Sequence, residues 1–225
     1  MRVFVALPAY DGKVFVQTVR ALCDEQIHAL AQGVILTLGM VPGCSLPHHA
    51  RNQLARDFLA SDCERLVFVD ADVSWEAGAL TRLAKHPVDI CGGAYRYKAE
   101  EEGYPVTWDP TKAELHADPA TGLLEVYALP GGLLSISRSA FEKMREALPD
   151  RAYDFHGEPH FGWFDTHITG GQLMGEDVGF CLTWRAMGEK VWLDPEIGTT
   201  GHVGFKEWRG HIGQWLKGRG DGNGA

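Results

Sequence analysis

Two aspartates one residue apart, Asp70 and Asp72, follow an unbroken apolar run at residues 66–69. A short uninterrupted apolar run is typical of a strand buried on both faces, so both carboxylates are expected where the strand leaves the core. In open α/β sheets ligands bind at the carboxyl ends of strands, and carboxylates there hold a divalent cation and, through it, a phosphate. The simpler alternative is that these acids cap a helix that begins near Ser74. A cap needs only one acid, so the pair favours the cation site.

Two further polar groups stand at the ends of predicted elements. Glu176 and Asp177 precede a predicted helix at residues 178–187, and His202 lies in a glycine-rich segment at residues 198–204. Each has an ordinary explanation, because the helix dipole favours acids in a first turn and a lone histidine is commonly a hydrogen-bonded structural residue. Their meaning depends on whether the fold brings them to Asp70 and Asp72.

Alternating apolar strands and amphipathic helices predict the fold that must position these residues. Three strands joined by helices occupy the first 73 residues, which favours a mostly parallel, doubly wound α/β sheet. The predicted strands lie at residues 2–7, 34–38, 66–69, 89–95, 125–129, 133–136 and 191–193. The predicted helices lie at residues 14–31, 50–59, 75–85, 138–148 and 178–187.

Composition limits the class of protein. With 225 residues, 45% of them hydrophobic, the chain is long enough for one large domain, expected at 1–215, and the Gly-rich polar tail 216–225 is expected to be disordered. The net charge of −9 argues against a general nucleic-acid binder, which needs a basic face. Five cysteines without CxxC spacing indicate reduced thiols. No signal peptide or membrane span is visible, and we therefore expect a cytoplasmic protein.

The polar groups, in this order along the chain, resemble the nucleotide-sugar-dependent glycosyltransferases of the GT-A fold, most closely the family 2-like group. The resemblance runs from LPAY after the first strand, through VFVDADV, to GEDVGFCLTWRAMGEKVWLDPEIGTTGHVG. It implies a Rossmann-like GT-A fold of the α/β class, with a mostly parallel central sheet flanked by helices. It also implies transfer of a sugar from a nucleoside-diphosphate sugar to an acceptor that the sequence does not identify.

The resemblance assigns part of the chain to the donor nucleotide. Pro8, Ala9 and Tyr10 would lie against the base or the ribose, and Arg51 would reach the ribose or the diphosphate. Asp70 would contact the ribose or a metal-bound water. An alternative for Arg51 is a solvated arginine on a helix surface.

The resemblance also assigns a metal and a base. Asp72 would bind Mn²⁺ or Mg²⁺ directly, with Asp70 nearby, and His202 would be the further protein ligand. Imidazole suits Mn²⁺ better than Mg²⁺. In inverting members of the family the position of Asp177 supplies the general base, with Glu176 as the other candidate of the pair.

Two other classes of protein remain open, and one departure from the family pattern bears on the donor. A haloacid-dehalogenase-like phosphatase shares the strand followed by DxD, and a non-catalytic sugar- or nucleotide-binding homologue would keep the fold. The acid that commonly follows the second strand in family 2 members is missing, since residues 39–41 are Gly-Met-Val. This departure leaves the donor nucleotide open.

The variable middle of the chain is expected to face the acceptor. Residues 151–172 lack periodicity and are predicted to form a mobile loop over the acceptor side. Aromatic residues there, among them Trp163, either stack on a sugar or pack over the sheet.

Overall fold

The elements of the fold alternate between strands and helices through the first half of the chain. A computed structural model describes residues 1–112 and 114–220. Within those residues the strands are β1 (Arg2–Ala9), β2 (Ile35–Pro42), β3 (Arg65–Val69), β4 (Val73–Trp75), β5 (Ile90–Gly92), β6 (Leu124–Val126), β7 (Leu133–Ser137), β8 (Ala152–Phe155), β9 (Glu158–Phe161), β10 (His167–Thr169), β11 (Gln172–Met174), β12 (Val191–Leu193), β13 (Thr200–Val203) and β14 (Glu207–Gly210). The α-helices are α1 (Val16–Ala31), α2 (Pro47–Ala60), α3 (Ala79–Lys85), α4 (Arg138–Ala147), α5 (Glu176–Ala186) and α6 (Ile212–Gly220).

The central sheet has seven strands in the order β2-β1-β3-β7-β5-β12-β6. Strands β2, β1 and β3 are parallel, as are β5 and β12, whereas β7 runs antiparallel to both β3 and β5 and β6 antiparallel to β12. The prediction of a mostly parallel α/β sheet is therefore confirmed. The carboxyl ends of β1 and β3 lie side by side, with Ala6 opposite Phe68. Ligands bind at this edge in open α/β sheets.

Helices cover both faces of the sheet, and β3 shows how the core is divided. Leu66 and Phe68 belong to the cluster that includes residues of α2, α4 and α5, whereas Val67 and Val69 belong to the cluster that includes residues of α1 and α3. Successive side chains of a strand point to opposite faces, so an unbroken apolar run is required where both faces are covered. None of the described helices combines the length and the apolar character needed to cross a bilayer.

Strand β4, which directly follows the aspartate pair, belongs to a small three-stranded sheet in the order β14-β13-β4. The helix predicted at residues 75–85 is wrong at its start, because residues 73–75 form β4 and α3 begins only at Ala79. Strand β4 is buried and pairs antiparallel with β13, where Val73 lies opposite His202. This long-range pairing overrides local helix propensity, and it brings His202 close to Asp72.

Two predicted irregular segments are in fact regular. The region predicted as a mobile loop forms the hairpins β8–β9 and β10–β11, and Trp163 is 2% exposed with its indole N–H donating to the Phe141 carbonyl. Trp163 therefore packs in the core. The tail predicted as disordered from residue 216 is helical up to Gly220, where Trp215 packs against Tyr104 and under Arg219. Residues 221–225 lie outside the described part.

Asp194 fixes the end of β12. Its buried carboxylate accepts hydrogen bonds from Arg82 at 2.6 Å and His86 Nε2 at 2.7 Å. Burial alone would raise the pKa of Asp194, but the hydrogen bonds from His86 and Arg82 bring it below its ordinary value. The ion pair therefore contributes stability above the unfolded-state pKa near 3.8, and that contribution is lost as the pH falls through the lower folded-state pKa.

Asp194→Asn should therefore lower the free energy of unfolding by about 1–3 kcal/mol at pH 7. Denaturant unfolding of wild type and variant at pH 7 and at pH 3 measures the difference, which should shrink at the lower pH. Asp24→Asn, which removes an exposed ion pair with Arg20, is the matched control and should change stability by less than about 0.5 kcal/mol. A difference between the Asp194 variant and wild type that is independent of pH would contradict this account.

Candidate active site

A cleft of about 640 Å³ opens at the carboxyl ends of β1 and β3. Its size is within the usual range of small-ligand pockets, about 300–1,000 Å³. Residues from four parts of the chain line it: Pro8, Tyr10, Arg51, Asp70, Asp72 and Glu176. The fold therefore brings together residues that the sequence analysis selected separately.

Arg51, on α2, joins the two acidic groups. Its Nη2 donates to Asp70 Oδ1 at 2.8 Å and its Nε donates to Glu176 Oε1 at 3.2 Å, while Nη1 donates to the Gly131 carbonyl at 3.2 Å. Arg51 is only 4% exposed, which excludes the solvated alternative. Burial acts to lower the pKa of Arg51, but the carboxylates of Asp70 and Glu176 raise it above its ordinary value. Arg51 is therefore a permanent cation that holds both acids in place.

Two glycines before β7 allow this network to form. A Cβ on Gly131 would lie 2.6 Å from Arg51 Cζ, and a Cβ on Gly132 would lie 2.6 Å from Asp70 Oδ2 and 2.7 Å from the hydroxyl of Tyr95. That hydroxyl donates to Asp70 Oδ2 at 3.1 Å. Both oxygens of Asp70 thus already accept hydrogen bonds from the protein. Neither the glycine pair nor Tyr95 was identified from the sequence as part of the site.

Asp72 and His202 face each other across the β4–β13 pairing. His202 Nδ1 lies 3.0 Å from the Arg96 carbonyl, which can only accept, so Nδ1 carries a proton. In the neutral ring Nε2 then presents its lone pair, 3.5 Å from Asp72 Oδ2. A histidine fixed by a backbone carbonyl is a common arrangement for a metal ligand.

Lys98 is the second side-chain partner of Asp72. Its ammonium nitrogen lies 2.5 Å from Oδ2, the oxygen that also faces His202. Burial alone would raise the pKa of Asp72, but His202, where its Nε2 carries a proton, and the hydrogen bond from Lys98 lower it. The carboxylate is therefore ionised at neutral pH and attracts cations. Lys98 was missed from the sequence because it lies 26 residues beyond Asp72 in a stretch without periodicity.

The side chains at this site supply only part of the ligands that a divalent cation needs. Among residues 1–112 and 114–220, no group of three or more His, Cys, Asp or Glu side chains is arranged to hold a metal ion. Asp72 and His202 offer one oxygen and one nitrogen. Cations such as Mg²⁺ are often held by one or two carboxylates together with substrate phosphates. These two residues would thus hold a metal only with further ligands from a bound phosphate or water.

Asp177 and Glu176 differ in environment although they are adjacent at the start of α5. Asp177 Oδ2 accepts from the Gly131 N–H at 3.0 Å and Oδ1 from the Val178 N–H at 2.8 Å. Burial and the neighbouring Glu176 raise the pKa of Asp177, although Arg51 opposes them. A raised pKa makes the Asp177 carboxylate a stronger base. Glu176, in contrast, is paired with Arg51 and lines the cleft.

Two of the three residues selected at the end of β1 line the cleft. Pro8 and Tyr10 line the cleft, and Tyr10 is 69% exposed. Ala9 is buried, and its carbonyl accepts hydrogen bonds from the N–H groups of Gly12 and Gly43. Ala9 therefore shapes the turn and contributes no side chain to the cleft wall.

Comparison with known proteins supports the fold. No family model matches the chain, and no curated protein sequence matches it. Among solved structures, residues 1–349 of TarS from S. aureus in complex with UDP-GlcNAc align with 95% of this chain at 13% identity and a TM-score of 0.50. The catalytic domain of Drosophila beta1,4galactosyltransferase 7, in complex with xylobiose, aligns with 94% of this chain at 15% identity and a TM-score of 0.51.

These similarities confirm the GT-A fold that the sequence analysis predicted. The aligned region covers 61% of the TarS structure and 70% of the galactosyltransferase structure. The chain thus spans about three fifths of the length of the TarS structure.

Proposed function

We propose that this protein is a glycosyltransferase that moves a sugar from a nucleoside-diphosphate sugar to an acceptor hydroxyl. The observation that carries the proposal is the position of Asp70, Asp72, Arg51 and Glu176 around one cleft at the carboxyl edge of a GT-A sheet. Two proteins with a similar fold were solved with UDP-GlcNAc and with xylobiose. A nucleotide sugar and a glycan are accordingly the first substrates to test.

The cleft residues, together with His202 beside Asp72, have distinct roles in the proposed reaction. Tyr10 borders the position of the nucleotide, and Arg51 fixes Asp70 on one side and Glu176 on the other. Asp72 and His202 would hold Mn²⁺ or Mg²⁺. A bound cation supplies Lewis-acid stabilisation of the departing diphosphate.

The proton of the acceptor hydroxyl would pass to Asp177. Its pKa is raised by burial, and two backbone N–H groups fix the orientation of its carboxylate. A carboxylate base suits an inverting displacement, in which the hydroxyl oxygen attacks the anomeric carbon as the bond to the diphosphate breaks. Arg51 also stabilises the ionised form of Asp177.

The phosphatase alternative is less compatible with these contacts. In a haloacid-dehalogenase-like phosphatase the first aspartate of DxD is the nucleophile and the motif follows the first strand, whereas here Asp70 follows β3 and both its oxygens accept hydrogen bonds from Arg51 and Tyr95. A non-catalytic binding protein would keep the same cleft. Product analysis distinguishes the three classes.

The proposed function is tested first by nucleotide binding. UDP, GDP, CDP and dTDP, each with Mn²⁺, should be compared in a thermal-shift assay, since a ligand at 100 times its Kd stabilises the folded state by about 2.7 kcal/mol. At least one should raise the Tm. The matching nucleotide sugar should then release nucleoside diphosphate slowly into water, whereas a phosphatase would release inorganic phosphate and a binding protein neither. No Tm change with any of the four would contradict the proposal.

Lys98→Met should strengthen Mn²⁺ binding in the absence of nucleotide. The ammonium group of Lys98 occupies the Asp72 oxygen that a cation would need, and its removal should raise the affinity by about 2- to 10-fold. Electron paramagnetic resonance of free Mn²⁺ measures the change. Lys217→Met, which removes an exposed lysine paired with Glu196, should leave the affinity unchanged. Equal or weaker Mn²⁺ binding by the Lys98 variant would show that Lys98 does not compete with the cation.

A further inference from the structure

The outer edge of the central sheet is formed by β2, which has β1 as its only strand neighbour among residues 1–112 and 114–220. The residues of β2 pair with β1 in unbroken register, from Ile35 opposite Arg2 to Pro42 opposite Ala9. The backbone N–H and C=O groups that point away from β1 can therefore pair with a further strand. A regular edge strand of this length is a template for strand addition.

Within residues 35–42 the edge lacks the features that usually keep other strands away. Exposed edges are commonly protected by charged side chains, an internal proline or a bulge. Residues 26–50 contain no Asp, Glu, Lys or Arg, although 23% of the chain is charged. Leu38 and Met40, with exposed fractions of 47% and 56%, present apolar side chains to solvent, and the proline of β2 stands at its last position. An uncharged, apolar and regular edge is typical of a surface that another molecule covers.

Helix α1 extends this apolar surface. Five of its exposed residues recur at spacings of three and four and so form one stripe along the helix: Val16, Val19, Cys23, Ile27 and Leu30. The charged residues of α1 lie on another side. Glu25 accepts hydrogen bonds from the N–H groups of Gly78 and Thr81, and Arg20 lines a cavity with Trp75 of β4. The charged side of α1 therefore faces β4 and α3, and the apolar stripe is exposed.

The stripe and the apolar side chains of β2 lie on one face of the sheet. Val5 of β1, which stands opposite Leu38, belongs to the core cluster that includes residues of α1. Paired residues of neighbouring strands point to the same face, so Leu38 points to the face that carries α1, as do Leu36 and Met40 two positions away. Helix α1 contacts β2, whereas α3 packs on β3 and β7, on the other side of β1. We name the apolar surface formed by β2 and the stripe of α1 the β2 face.

We infer that the β2 face binds a second copy of this chain, with the two β2 strands antiparallel across a two-fold axis. Two identical strands in this arrangement are self-complementary, because each offers the other the same N–H and C=O groups. The symmetry joins the same faces of the two seven-stranded sheets, so both α1 stripes lie on one side of the joined sheet. Each apolar surface then covers the other.

The charge of the chain favours this occupant. Each copy carries a net charge of −9, so two copies repel each other most where charged groups meet. The β2 face avoids that repulsion, because residues 26–50 are without Asp, Glu, Lys and Arg and the charged side of α1 is turned towards α3. A basic partner would be recognised by acidic side chains, which this edge strand does not offer. The net negative charge also disfavours an anionic membrane surface.

Sedimentation velocity of the full chain between about 1 and 100 µM should show a species of twice the monomer mass, with a Kd in the micromolar range or below. Leu38→Lys and Ile27→Glu each place a charge from both copies in the two-fold interface and should weaken the dimer by at least about tenfold. Leu173→Lys, which changes an exposed leucine of β11, is the matched control and should remain dimeric. Because Leu38 and Ile27 are exposed, both variants should keep the wild-type Tm at a concentration where the wild type is also monomeric.

Hydrogen exchange followed by mass spectrometry identifies the surface that pairs. Exchange at residues 35–42 should slow as the wild-type concentration rises, and it should be independent of concentration in Leu38→Lys. A wild type that is monomeric at about 100 µM, a dimer as stable in either variant as in the wild type, or exchange at residues 35–42 that ignores concentration would each overturn the inference.

A monomer that binds vesicles of phosphatidylcholine, and loses that binding in Ile27→Glu, would also overturn the inference and would assign the β2 face to a membrane. Nucleotide binding enters none of these measurements. Failure of the dimer therefore leaves the proposed function intact, and failure of the proposed function leaves the dimer intact.

Discussion

Asp177→Asn is expected to lower kcat for sugar transfer by about 10²- to 10⁴-fold, while nucleotide affinity stays close to that of the wild type. The proton leaves the acceptor only in the chemical step, so loss of the base affects the transition state and spares donor binding. Asparagine has nearly the same shape as aspartate and can still accept one of the two backbone hydrogen bonds from Gly131 and Val178. Steady-state kinetics together with nucleotide titration measure both quantities.

Glu176→Gln is the control for this variant, because Glu176 is adjacent in sequence but pairs with Arg51. Its removal should disturb the position of Arg51 and so affect donor binding more than the chemical step. If the roles of the two acids are exchanged, the effects of the two variants will be exchanged as well. NMR of the first product formed gives the anomeric configuration, and retention of the donor configuration would exclude Asp177 as the base of an inverting transfer.

The pH dependence of kcat provides a second measurement on the same residue. Because burial and Glu176 raise the pKa of Asp177 above its ordinary value of 3.8, the base should become protonated at a higher pH than an exposed aspartate does. The value of kcat should accordingly fall as the pH is lowered below 7, following the protonation of a single group. In Asp177→Asn that acid limb should disappear from the residual activity. An acid limb of unchanged position in the variant would assign it to another group.

The central sheet was predictable because its signal is local. The run at residues 66–69 is apolar at every position, and only burial on both faces requires that pattern. Strand β4 was not predictable in the same way. Its three residues, Val73–Trp75, are too few to show a period, and they form a strand because β13, more than a hundred residues later, pairs with them. Local propensity is a weak guide where tertiary pairing decides.

The residues of the candidate site also fall into those that could be selected from the sequence and those that only the fold identifies. Asp70, Asp72 and Glu176 could be selected because acids at the ends of predicted elements are visible in the sequence. Lys98 and Tyr95 could not, since their importance arises only from contacts with Asp72 and Asp70 that the fold creates. Sequence could suggest that Arg51 meets a ligand, but only the structure reveals that it is buried between two carboxylates.

Composition did not predict the local structure of the middle of the chain. Its glycines and lack of period suggested a mobile loop, yet at His156 and Gly157 a two-residue turn of positive φ joins β8 and β9 into a hairpin. Positive φ is expected of glycine but is uncommon for histidine, so the turn was not evident from residue types. Trp163, which the sequence left undecided between stacking on a sugar and packing over the sheet, is part of the core.

Asp72→Asn and His202→Ala should each remove the metal-dependent part of nucleotide binding. The two side chains are close together, with His202 Nε2 3.5 Å from Asp72 Oδ2. Within residues 1–112 and 114–220 no third His, Cys, Asp or Glu side chain completes a metal site. A cation held by only two protein ligands depends strongly on each. We expect at least a 10- to 100-fold loss of Mn²⁺-dependent nucleotide affinity, roughly the cost of disturbing a metal ligand or its support.

Calorimetric titration of nucleotide with Mn²⁺ and with EDTA gives the result directly: EDTA should weaken binding to the wild type and have little effect on either variant. Asp24→Asn and His116→Ala, which alter exposed side chains elsewhere, are the matched controls and should keep the EDTA effect. In Asp72→Asn the ammonium of Lys98 loses its carboxylate partner and becomes free to approach the diphosphate, so residual metal-independent affinity should be higher in this variant than in His202→Ala. Undiminished EDTA sensitivity in both variants, with the Tm of the wild type retained, would place the cation elsewhere and leave Asp72 as the partner of Lys98 alone.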